Sequence, residues 1–224
     1  PDVEMKDSGV EWLGEVPVGW AVLPLSVRYH VQLGKMLDKK QITGGHLAPY
    51  LRNANIQWGK VDLSDLYEMD FNPSEREYYS LKRGDLLVCE GGEIGRTAVW
   101  NGELDECYYQ KAVHRVRPRS QKDNSRYLYY LMFAAAHIGV FDAGADVSTI
   151  GHLTAVKLKK TRFAFPPYDE QSKIVEYLDS VHNDYENLIE NTKRSLDLLH
   201  EYRTALISAA VTGKIDVRAE VKAT

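Results

Sequence analysis

Three amide side chains recur at alternate positions, Asn53, Asn55 and Gln57, directly after Arg52. On a strand they would share one face. Carboxamides pair bidentately with adenine, and an arginine meets guanine or phosphate; a plain solvated strand face reads the same way. Upstream, Lys35, Lys39, Lys40, Gln41 and His46 surround Gly44-Gly45, a basic loop suited to phosphate. Downstream, the segment Asp146 to Leu153 carries Ser148, Thr149 and His152 ahead of Lys157 and Lys159, and Lys60, Arg96 and Lys111 add single cations. These are residue types for phosphates and base edges.

Nothing comparable points to catalysis. Phe165-Pro166-Pro167-Tyr168 has the Pro-Pro-aromatic form of amino-methyltransferases, but Phe165 cannot accept a hydrogen bond from a target amine, so the segment reads as a strand-to-helix joint. Gly91-Gly92-Glu93-Ile94-Gly95 lacks the Gly-Lys-Ser/Thr end of a phosphate loop. The seven histidines form no pair at metal spacing beside a carboxylate or cysteine. Glu4-Met5-Lys6 after Pro1-Asp2 echoes a nuclease signature without its intervening sheet.

The elements that must hold these residues are mixed. Alternation predicts strands at Trp20–Leu25, Tyr50–Gln57, Leu81–Cys89, Arg96–Trp100, Cys107–Arg117 and Ala155–Phe165. Asn101-Gly102 predicts a hairpin between two of them. Asn124–Ile138 has helical spacing, with Ser125 as its cap. The expected class is α+β: a strand-rich body over residues 1–165, a long helix over 166–213 and a tail over 214–224.

The long helix carries the strongest pattern in the chain. Ile174, Leu178, Val181, Tyr185, Leu188, Thr192, Ser195, Leu199, Tyr202, Leu206 and Ala209 alternate at spacings of four and three. That is a coiled-coil seam over roughly five heptads. Asp169 and Glu170 favour the helix start, and Gly213 is a natural stop. About 42 residues span about 63 Å, longer than the roughly 40 Å expected for such a body. The seam therefore calls for a second helix.

Composition sets wide bounds. Of 224 residues, 44% are hydrophobic and 27% charged, as in an ordinary globular chain. The net charge of −4 weighs against a nucleic-acid partner. Its distribution softens that, because residues 1–20 and the long helix are acidic while Lys111, Arg115, Arg117, Arg119, Lys122 and Arg126 cluster in between. Cys89 and Cys107 read as buried, reduced thiols of a cytoplasmic protein. No run is apolar enough to span a bilayer. The chain begins at Pro1 and is expected to be processed or a fragment.

Ser8-Gly9-Val10-Glu11-Trp12-Leu13-Gly14-Glu15-Val16-Pro17 with Gly19-Trp20, then Tyr50-Leu51-Arg52-Asn53-Ala54-Asn55-Ile56, Lys82 to Val88 and Ile94-Gly95-Arg96 follow one another in the chain. In that order they resemble one family, the specificity subunits of type I restriction–modification enzymes. The joint Phe165 to Gln171 is similar to the family's Pro-Pro-x-x-Glu-Gln helix start, and Ile207 to Asp216 to its helix end. The resemblance implies two target-recognition domains per full subunit, each reading half of a split double-stranded DNA site. It implies two antiparallel helices that set their spacing and dock methyltransferase subunits, with restriction subunits joining later. S-adenosylmethionine, ATP, Mg and the catalytic residues would belong to those partners; this chain would hold no cofactor or metal.

With one domain and one helix, the chain is expected to be a C-terminal half, or a short half-subunit that dimerises through Ile174, Leu178, Val181, Tyr185, Leu188, Leu199, Tyr202 and Leu206. Matched positions such as Arg52 and Arg96 then become framework or phosphate residues. Unmatched segments, Lys35–His46 and Ala145–His152, become the candidate base readers, and Asn55 and Gln57 stay intermediate. The alternative function is a protein-interaction adaptor with an oligomerisation helix.

Overall fold

A computed structural model describes residues 3–37, 43–141 and 151–217. The first half of the chain forms β1 (Met5–Asp7), β2 (Glu15–Pro17), β3 (Ala21–Pro24), α1 (Leu25–Arg28), β4 (Tyr29–Leu33), β5 (Leu47–Leu51), β6 (Ile56–Gln57), β7 (Lys60–Val61), β8 (Tyr67–Asp70) and α2 (Pro73–Tyr79). The second half forms β9 (Leu86–Cys89), β10 (Thr97–Val99), β11 (Tyr108–Tyr109), β12 (Val113–Pro118), α3 (Ser125–His137), α4 (Ala155–Lys160), β13 (Arg162–Phe165) and α5 (Tyr168–Val211). The class is α+β, as expected. By its contacts the chain divides into a body, residues 1–175, and a second unit, residues 176–224.

The body is organised on an antiparallel sheet ordered β10-β9-β12-β4. All four residues of β9 are buried, because both faces of the sheet are covered. Leu86, Val88, Val116 and Val31 pack with Tyr127, Leu128, Met132 and Ala135 of α3. On the other face Leu87, Cys89, Val113 and Ala98 pack with Ile56, Trp100 and Tyr109. A three-stranded sheet, β11-β5-β8, adjoins that second cluster and stacks Phe71 on Tyr108 at 4.1 Å. Cys89 and Cys107 are buried free thiols, and burial pushes them up to about 11 and about 12.

Four sequence expectations are corrected. The Tyr50–Gln57 strand breaks after Leu51, and Asn53–Asn55 is a 3-10 turn. The Asn55 carboxamide oxygen accepts from Arg52 N–H, the local bond that makes asparagine favour turns. Asn101-Gly102 makes no hairpin; β10 pairs with β9 across the Glu90–Arg96 turn instead. Residues 155–160 are helical, with the Thr154 hydroxyl accepting from Lys157 N–H, and only Arg162–Phe165 is strand, paired with β3. Asn124, not Ser125, caps α3; the Ser125 hydroxyl donates to the Gly84 carbonyl.

The strand-to-helix joint is built as its sequence suggests. Gln171 is fully buried at the start of α5. Its amide donates to the Lys122 and Pro166 carbonyls while its oxygen accepts from Asn124 N–H. Trp20 Nε1–H donates to Glu170 at 3.1 Å. The first two turns of α5 therefore belong to the body, which extends to Val175 and not to residue 165. Ile174 packs on the body's core, which corrects its assignment to the seam.

Candidate nucleic-acid interface

At one end of the four-stranded sheet, β4 and β9 finish and β12 begins. The turns there are stitched together by backbone. Lys35 bridges to Gln110, and Lys111 N–H donates to the Lys35 carbonyl at 2.7 Å. Glu90 N–H donates to Ala112, whose φ of +90° is a rare conformation for a residue with a side chain. Leu153 N–H donates back to Glu90. Gly34 makes this convergence possible: a Cβ there would lie 2.3 Å from the Gln110 carbonyl oxygen.

The strip continues without a break. Asn53 donates to the Gly91 carbonyl at 2.9 Å, and a Cβ on Gly91 would lie 3.1 Å from His152 Nδ1. Trp58, on the β6–β7 turn, donates its indole N–H to Glu93 on the β9–β10 turn. Gln57 and Lys60 flank Trp58 and are exposed, as is Lys111. Among the described residues, Lys60 and Lys111 have no carboxylate within ion-pair distance.

Both unmatched segments are anchored on this strip. Lys35 Nζ bonds Glu75 and the Asp70 carbonyl, each at 2.6 Å. The Asp70 carboxylate collects the backbone N–H groups of His46, Gly44 and Thr43, which lower it to about 2. These contacts fix the two flanks of residues 38–42. The flank after residue 150 is fixed by Leu153, whose carbonyl lies 2.7 Å from His114 Nε2. His114 is fully buried, and desolvation lowers its pKa.

The predicted binding residues now separate. His46, Gln57, Lys60, Lys111 and His152 are exposed. Lys39, Lys40, Gln41, Ser148 and Thr149 lie outside the described residues. Lys35 is corrected from loop cation to structural pin, since Glu75 already neutralises it. Asn55, an intermediate DNA-binding candidate, is corrected to framework: it is buried, and its amide donates to the Asp62 and Asp65 carbonyls. Arg52 stacks over Tyr67 at 3.7 Å and pairs with Asp65 at 2.6 Å, and Arg96 donates to the Asn53 carbonyl and to Glu93. Lys157 donates to the Phe141 carbonyl and is half-buried.

The opposite end of the sheet holds a cleft of about 720 Å³ lined by Lys82, Arg83, Asp85, Arg117 and Arg119 among others. Here Arg117 is committed to a buried carboxylate, whereas Lys82, Arg83 and Arg119 are exposed. Arg117 pairs bidentately with buried Asp85 at 2.6 and 2.7 Å. Arg115 is buried on Gln32 and on the Tyr78 and Ser80 carbonyls.

Residues 17–196 match the family described as the type I restriction modification DNA specificity domain. The chain belongs to this family. It is 26% identical over 139 residues to the EcoBI specificity subunit of Escherichia coli, covering 62% of this chain and 28% of that protein. It is 24% identical over 217 residues to the MjaVIII specificity subunit of Methanocaldococcus jannaschii, covering 92% and 48%. A chain from a solved type I restriction–modification system has the same fold, with a TM-score of 0.69 at 19% identity, over 87% of this chain and 46% of that one. The chain thus spans less than half the length of these relatives. The comparisons support the specificity-subunit reading and not the adaptor. Gln171, Trp20, Glu170 and Arg96 hold joints within the body.

Glu93, Trp58, Asp70 and His114 were missed in the sequence. Glu93 had a signal, a carboxylate inside a glycine-rich turn beside Arg96. Asp70 and His114 had none, because their partners lie 24 or more residues away. In the second unit, Tyr185, Leu188, Leu199 and Tyr202 are 61–63% exposed, leaving the seam open. Among the described residues no helix is long and apolar enough to cross a membrane, and no cluster of three metal-ligating side chains occurs.

Proposed function

We propose that the body reads one half of a split double-stranded DNA target and that α5 acts as a spacer which receives methyltransferase subunits, with restriction subunits joining the assembly through them. The chain contributes address and no chemistry; S-adenosylmethionine, ATP and Mg would act on the partners. One observation carries this reading. The anchors of both unmatched segments converge on a strip that also presents Gln57, Lys60, Lys111 and His152. Unpaired lysines supply phosphate contacts, while the segments flanked by these anchors, with Lys39, Lys40, Gln41, Ser148 and Thr149, supply variable base contacts. The test is fluorescence anisotropy with labelled duplexes at rising salt. Affinity should fall steeply between about 50 and 200 mM salt; a flat response or no binding would reject the reading.

The open seam of α5 supports antiparallel pairing with a second helix, either the other half of a full subunit or a second copy. Leu188→Asp combined with Leu199→Asp should reduce the mass of the isolated chain to a monomer by light scattering. An unchanged mass would contradict seam-driven pairing.

A further inference from the structure

Glu93 is a half-exposed carboxylate on the same strip as the exposed Lys60 and Lys111. It is nonetheless fixed: Trp58 Nε1–H donates to Oε1 and Arg96 Nη1–H donates to Oε2 at 3.3 Å. The turn that carries it is locked as well. Gly92 and Gly95 have φ of +75° and +80°, and a Cβ at Gly95 would lie 2.7 Å from the Phe141 ring. Beside the carboxylate lies a hollow of about 200 Å³ lined by Trp58, Gly92, Ile94, Ala136 and His137. Phe133 supports its wall, with the Trp58 ring edge-on at 5.1 Å and the His137 ring stacked at 3.9 Å.

Arg96 offsets part of the Glu93 charge, and a carboxylate beside phosphates gains most where the nucleic acid offers it a donor. Each oxygen of Glu93 has one contact and can accept another. In the major groove the donors are exocyclic amino groups, N4 of cytosine and N6 of adenine, and acidic side chains typically take the former. The apolar wall suits the rest of a base edge. We infer that Glu93 is a specificity-determining residue that accepts a hydrogen bond from such an amino group. This deepens the DNA-reading proposal above and rests on it.

The experiment first selects preferred duplexes from a randomised pool with the whole chain. Each cytosine of the selected site is then replaced by a pyrimidinone lacking the 4-amino group, and each adenine by purine, which lacks the 6-amino group. One replacement should weaken wild-type binding at least about fivefold. The same replacement should leave Glu93→Ala binding unchanged, and Glu93→Gln should prefer a different base there. The responding arm tells cytosine from adenine. Selection of the same sequence by Glu93→Ala, with the same sensitivity to every analogue, overturns the role of Glu93 and leaves DNA reading standing. Wild-type chain that selects no sequence overturns both. Thermal unfolding of each variant separates lost recognition from lost fold.

Discussion

The two ends of the four-stranded sheet hold their cations differently. At the Arg117 end, two arginines meet buried carboxylates, Arg117 on Asp85 and Arg28 on Asp123 at 2.6 Å, while Lys82, Arg83 and Arg119 stay exposed. At the Lys111 end, turns meet through backbone bonds, and among the described residues no carboxylate lies within ion-pair distance of Lys60 or Lys111. Positive charge in a sequence is therefore a poor guide to where an anion binds. Exposure does not separate the two ends; the Lys111 end differs in that its turns are stitched by backbone bonds and flank both segments outside the family pattern.

The contrast can be broken most severely at the paired end. Asp85→Ala strands the Arg117 guanidinium and should cost about 3 kcal/mol. The melting temperature should then fall by roughly 6 to 12 °C, with the salt dependence of DNA binding unchanged in the folded fraction. A loss of binding without destabilisation would move the interface to that end.

Gly34→Ala attacks the stitched end. Its Cβ collides with the Gln110 backbone, which cannot swing aside as a side chain can. We expect a loss of about 1–3 kcal/mol together with weaker DNA binding, read by denaturant unfolding and anisotropy. An unaffected affinity would mean that the Lys35–Gln110 junction does not shape the interface.

A smaller effect concerns pH. His114 is flanked by Glu90 and Lys159, and desolvation holds its pKa below the ordinary 6.5; His30 is lowered as well, by burial and by the charges of Arg115 and other cations. As pH falls below about 6.5 the unfolded chain takes up protons that the folded chain refuses, so stability falls. His114→Gln keeps a donor for the Leu153 carbonyl without titrating. It should flatten the pH dependence of the unfolding midpoint between about pH 6.5 and pH 5. An unchanged slope would place the titration elsewhere.

Much of this was legible in the sequence where the physics is local. Pro166-Pro167 and Asp169-Glu170 mark a helix start, and Gly213, with φ of +70°, marks its end. The seam follows from helical periodicity alone. The arginine ion pairs were hidden because they are tertiary; Arg117 and Asp85 stand 32 positions apart. Asn55 misled because alternation cannot tell a strand face from a turn whose side chain bonds its own backbone. Val156 and Leu158 misled in the same way, since a short apolar run suits helix and strand equally.

The most direct test of DNA reading at the stitched end is the salt dependence of half-site affinity for wild type and for Lys60→Glu combined with Lys111→Glu. Both side chains are exposed, so stability should shift by no more than about 0.5 kcal/mol. The slope of log affinity against log salt should become shallower by about 1.8, the share of two phosphate contacts. Identical slopes and affinities in the two proteins would contradict a DNA interface at this end of the sheet.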